Sequence, residues 1–191
     1  MKENYTIMDY KALPSKILHP LIVLPLAGIF VLFYNGLNLV ESIGWVSLWI
    51  MSAMIPTALV AWRTGDKGFD IISRKQRNKS YIVGVTSLAL SLVLSSLMYA
   101  PTAVTELGYF ALGAVIIFGL ANKFTKVSVH TGSIAFVAGG FLTKTLAIGM
   151  LSIILTVPVG WSRVKLDRHS RNQVIHGAIL GFTCGLVATL L

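Results

Sequence analysis

Residues 132–160 read GSIAFVAGGFLTKTLAIGMLSIILTVPVG, 29 residues with one charged side chain, Lys144, near the middle. As a single helix this stretch would rise about 44 Å, well beyond the ~30 Å hydrocarbon core of a bilayer. Lys144 would then sit near the membrane centre, where insertion scales put its cost at roughly 2.5–3.5 kcal/mol. Split into two helices, Ser128–Leu142 and Leu146–Trp161, the stretch instead turns at Thr143-Lys144-Thr145. Each arm covers only about 24 Å, a length that packing inside a bundle tolerates while the lysine reaches the interface. The hairpin is the favoured reading.

The rest of the chain fits the same solvent. Of 191 residues, 55% are hydrophobic and only 12% charged, with a mean hydropathy of +0.77. Soluble domains carry about 25% charged residues. Apolar runs cover His19–Val40, Gly44–Ala61, Tyr81–Ala100, Leu107–Ala121, both hairpin arms and Val174–Leu191. None has the period-two alternation of a spanning barrel strand. The reading is an all-α polytopic membrane protein, a six-span helical bundle. Residues 1–18 form a polar, basic segment at the membrane surface and residues 19–191 the membrane domain. The first apolar run is too long for a signal-peptide core and is expected to be a retained span. The lone Cys184 lies in the last apolar run, as a small packing residue.

Charge gives orientation. With the hairpin in place, polar stretches 63–80, 122–131 and 162–173 emerge on one face. That face carries fifteen of the sixteen Lys and Arg residues, Lys144 being the exception. The positive-inside rule makes it cytoplasmic in a multi-pass cell-membrane protein, with Trp62 and Trp161 at the interface. In the last span Gly177, Gly181 and Gly185 recur every four residues and line one helix face, for close packing inside the bundle or between protomers of a homo-oligomer.

The polar stretches also carry candidate chemistry. One holds Ser128-Val129-His130, another Ser162-Arg163 with His169 six residues on, and the first holds Lys67 and Arg74 seven apart. On these residues the chain resembles the type-2 phosphatidate phosphatase superfamily, membrane lipid phosphatases related to soluble haloperoxidases. That family's motifs are Lys-x6-Arg-Pro, Pro-Ser-Gly-His and Ser-Arg-x5-His-x3-Asp. The likeness runs from Lys67 to the end of the chain. Four positions depart from it: Lys75 replaces a proline, Thr125 to Ser128 lacks the proline of the second motif, Val129 replaces its glycine, and Gln173 the acid after the histidine. Divergent members share such a glutamine together with an Asp-x3-Arg-x2-Arg stretch, here Asp70, Arg74 and Arg77.

The resemblance implies a phosphate site. Lys67, Arg74 and Arg163 would clamp the anion, since guanidinium groups pair with phosphate oxygens in bidentate fashion. Ser128 and the Val129 amide, at a helix N-terminus, would add donors. His169 would attack phosphorus and His130 would protonate the leaving alcohol. Gln173, one helical turn beyond His169, would accept its ring proton and fix the tautomer. The expected substrate is a membrane lipid or polyprenyl phosphate, with no metal, cofactor or nucleic acid involved. No carboxylate cluster suggests Mg²⁺ and no Cys/His set suggests zinc. A non-catalytic binder of anionic headgroups or of a membrane partner is the alternative. A membrane prenyltransferase would need aspartate-rich Mg²⁺ motifs, which the sequence lacks.

Overall fold

The computed structural model of the chain describes residues 10–64, 71 and 73–190. Among these, all regular structure is helical: α1 (Leu13–Ile17), α2 (Pro20–Tyr34), α3 (Leu39–Trp49), a π-helical turn (Ile50–Met54), α4 (Ile55–Thr64), α5 (Arg74–Leu97), α6 (Thr102–Phe124), α7 (Val129–Leu142), α8 (Leu146–Lys165) and α9 (Arg171–Leu190). The expected count of six spans is not reproduced. Five helices are long and apolar enough to cross a membrane: Leu39–Arg63 (α3, the π turn and α4 in one run), α5, α6, α8 and α9. Two further apolar helices, α2 and α7, are shorter. All seven apolar runs of the sequence contain helix, five of span length and two shorter.

The hairpin is present, with α7 ending at Leu142 and α8 beginning at Leu146. Lys144 lies in the exposed turn between them rather than inside a helix. The first loop also starts earlier than the apolar pattern indicates. Asn38 caps α3 by accepting from the Glu41 amide at 2.9 Å, and Glu41 Oε2 accepts from the Asn38 amide at 3.0 Å. This reciprocal capping box satisfies two orphan donors and fixes the helix start at Leu39, not Gly44. Gly36, at φ +96°, makes the preceding turn in a conformation that side-chain-bearing residues seldom adopt.

The shortest apolar helix is the innermost one. Thr131–Ala135, Val137–Gly139 and Phe141 of α7 are all buried, which leaves the helix no lipid-facing stripe. A helix apolar on every side belongs in the interior, where its length need not match the bilayer. It lies between α8 and α9, with α2 across its other side. Contact with α9 is backbone against backbone. A Cβ on Gly181 would overlap the Gly132 carbonyl, one on Gly185 the Phe136 carbonyl, and one on Gly177 would lie 2.5 Å from the Ser128 oxygen. The glycine face predicted from sequence is therefore filled within the chain.

All three cationic segments gather at one end of the bundle. Arg74 Nη1 donates to the Phe124 carbonyl at 2.9 Å, and Lys126 Nζ to the Arg168 carbonyl at 2.9 Å. The N-terminal segment joins them, since Ser162 Oγ hydrogen-bonds Ser15 Oγ of α1 at 3.0 Å. Replacing Gly181 by valine is expected to destabilise the fold by about 1–3 kcal/mol or more, because the backbone of α7 must shift. Gly113→Ala, with open space at its Cβ, should change stability by less than about 0.5 kcal/mol. Thermal melts of the two variants in detergent measure the contrast.

Candidate functional site

Local turn chemistry delivers the central histidine. Helix α8 ends in paired reverse hydrogen bonds: the Arg168 amide donates to the Arg163 carbonyl at 3.1 Å and the Asp167 amide to the Val164 carbonyl at 3.0 Å. Asp167 takes the left-handed conformation, φ +53°, that closes this helix-ending motif. The His169 amide donates to the same Arg163 carbonyl at 3.2 Å. The chain thereby folds back over its own helix end and sets His169 inward, 6% exposed.

The imidazole is held at both nitrogens. Nδ1 lies 3.2 Å from Gln173 Oε1, as the four-residue spacing predicts. That oxygen also accepts from the Ser170 amide at 3.3 Å, so it is an acceptor and Nδ1 carries the proton. Nε2 is then the lone-pair nitrogen, and Arg77 Nη2 stands 3.3 Å from it. The same guanidinium donates through Nε to the Ile71 carbonyl at 3.0 Å and through Nη1 to the Val127 carbonyl at 2.9 Å. Arg77 is thus buried and ties all three cationic segments together.

Protonating His169 is strongly disfavoured. Burial pushes its pKa down to about 3 from the usual 6.5, and the positive charges of Arg77, Lys126 and Arg163 add to the effect. The hydrogen bond to Gln173 opposes them without prevailing. His169 therefore stays neutral at physiological pH, with a usable lone pair.

His169 and Arg77 open onto a cavity of about 480 Å³, which His130, Val129, Ser80 and Tyr81 also line. His19 lines it as well. Its ring meets that of His130 edge-on, with centroids 4.8 Å apart and planes at 86°. His19 also caps α2, since its Nδ1 accepts from the Leu21 amide at 3.2 Å. One end of the cavity thus brings together three imidazoles and one guanidinium.

The side chains expected to clamp an anion are not all at the cavity. Lys67 lies outside the described residues. Arg74 is exposed, donates to the Phe124 carbonyl and does not line the cavity; its place is taken by Arg77, one helical turn further along α5. Arg163 is 3% exposed and acts on His169 through charge, without lining the cavity. Ser128 is fully buried: its Oγ lies 2.9 Å from Thr131 Oγ1 and accepts from the Thr131 amide at 3.4 Å, so it serves as the cap of α7. The signal for Arg77 was the Asp-x3-Arg-x2-Arg spacing; the Lys-x6-Arg spacing pointed to its exposed neighbour. His19 had no sequence signal, because only tertiary packing carries it to His130.

Comparison with protein-family models, with curated proteins and with solved structures finds no match.

Because the folded chain refuses a proton that the unfolded chain accepts, stability should fall as pH drops from about 6.5 towards 3. His169→Gln should flatten that fall, read as the pH dependence of the thermal midpoint in detergent. The ¹⁵N shifts of His169 should keep the neutral Nδ1–H pattern at pH 5.

Proposed function

We propose that this chain is an integral membrane hydrolase that removes a phosphate from a lipid or polyprenyl phosphate, without a metal, through a phosphohistidine. The observation that carries the reading is the state of His169. It is neutral, its tautomer is fixed by Gln173, and its lone-pair nitrogen faces a guanidinium at a cavity shared with His130. A phosphate oxygen entering beside Arg77 competes for Nη2, which releases the Nε2 lone pair next to the phosphorus.

Attack by Nε2 forms the N–P bond as the P–O bond to the alcohol breaks. His130 gives its proton to the departing alkoxide. The positive charge left on the His169 ring is shared through Nδ1–H with Gln173. Water then attacks phosphorus, His130 takes back a proton, and the N–P bond breaks to release inorganic phosphate and restore His169. The lysine and arginine excess at the reacting end supports a cytoplasmic orientation in a cell membrane.

A second reading is favoured by one observation: Nδ1 of His169 meets a neutral amide, where a carboxylate would better stabilise the imidazolium. Under it the chain binds anionic headgroups and performs no hydrolysis. Purified protein in mixed micelles is expected to release phosphate from a lipid phosphate or diphosphate. His169→Ala should abolish release and His130→Ala should slow it by about 10²–10⁴-fold. Arg77→Gln should cost far more activity than Arg74→Gln, and Gln173→Asp should raise the rate. If the wild type releases no phosphate from any lipid phosphate or diphosphate, the binding reading replaces this one.

A further inference from the structure

The cavity does not stop at the imidazoles. It follows α2 from His19 to Asn35, which is about 24 Å of helix rise and most of a ~30 Å hydrocarbon core. Its near end is cationic and rich in imidazole. Its far end is flanked by Asn35, Glu106 and Lys144, all three exposed. Between the ends the wall is almost wholly apolar, supplied by α2, by α3 through α4, and by α5, α6 and α7; Leu24, Val31, Trp49, Leu88, Phe110 and Phe136 represent each element in turn.

Two details indicate an occupant. Ser80 and Tyr81 line the cavity with Arg77, and their hydroxyl oxygens are buried with no hydrogen-bond partner among the described residues. Buried hydroxyls of this kind ordinarily have partners, and an anion held by Arg77 would supply them. The wall opposite α2 also contains the π-helical turn Ile50–Met54, which puts Ala53 and Met54 on the lining next to Trp49. Such turns concentrate at functional sites.

We infer that the cavity is the site for a single hydrocarbon chain of an anionic lipid, alkyl or isoprenoid. The chain lies along α2 past Trp49, and its phosphate sits among Arg77, Ser80, Tyr81 and the imidazoles. The inference deepens the hydrolase reading by naming the substrate class: one-chain phosphates enter and diacyl phosphates do not. A volume of about 480 Å³ is that of a site for one small ligand, whereas a second acyl chain with its glycerol needs far more room. Selection rests on shape and on the anion. Lipid tails are as apolar as the cavity wall, so moving a chain from bilayer to protein gains little by itself.

Trp49 reports on the chain. It lies about 15 Å along its helix from the far end, near mid-membrane depth, and its indole donates to Ser95 Oγ at 3.1 Å. With Trp45, Trp62 and Trp161 replaced by phenylalanine, the protein is placed in nanodiscs of zwitterionic lipid. A single-chain alkyl phosphate brominated near its chain end is then titrated in. Trp49 fluorescence should be quenched severalfold more than by brominated zwitterionic lipid at the same mole fraction. Unlabelled single-chain phosphate should reverse the quenching, and unlabelled diacyl phosphate should not.

Ala111→Phe, which narrows the cavity, should remove the excess quenching while the thermal midpoint stays within a few degrees. Equal quenching by the zwitterionic lipid overturns the site. Reversal by diacyl phosphate overturns the one-chain specificity. Saturable quenching without phosphate release leaves the chain site standing and removes the hydrolase reading.

Discussion

One guanidinium decides whether the cationic end of this bundle is a site or a set of loops. Arg77 reaches the Ile71 carbonyl before its own helix, the Val127 carbonyl between α6 and α7, and the ring of His169 between α8 and α9. A buried positive charge is tolerated only when its donors are satisfied, so burying Arg77 forces these acceptors to converge. That same charge adds to the burial that keeps His169 unprotonated. Structural closure and chemical readiness thus meet in one side chain, which makes the residue hard to replace even by lysine. An ammonium is a point charge and lacks the planar fork that spans three acceptors.

The bundle meets this demand by making α7 its axis. Ser128 caps α7, and the Ser128 amide donates to the Gln173 carbonyl at 3.1 Å. The first turn of α7, which carries His130, is thereby fixed to the start of the helix that orients His169. The glycines of α9 bring the two backbones together and hold that register. In lipid no hydrophobic gain drives helices together, so such close contact is how a membrane protein obtains rigidity. The setting of His169 and His130 and the glycine face are two ends of one α7–α9 contact.

Much of this was legible in the sequence, and the omissions have physical causes. The turn at Thr143-Lys144-Thr145 could be read because a lysine at mid-membrane is costly. The pair His169 and Gln173 could be read because their four-residue spacing puts the glutamine within reach of the ring at the start of α9. The break at Asn35–Asn38 was hidden, because Leu37, Leu39 and Val40 continue the apolar run while the capping box acts through backbone geometry. Arg74 and Arg77 are chemically alike, and only packing separates the exposed one from the buried one. His19 stood far from every motif, and its meeting with His130 depends on how α2 leans on α7.

The π-helical turn carries a consequence for how this fold tolerates insertion and deletion. It accommodates one residue more than an α-helical turn would, and everything after it on α4 is rotated by about 100° relative to a regular helix. Losing any one residue of Ile50–Met54 would let the segment relax to α-helix. Thr57, Ala58 and Ala61, which now line the cavity, would then swing round to another side of α4 while α3 kept its packing. The length of this short segment acts as a phase setting between two halves of a single membrane helix.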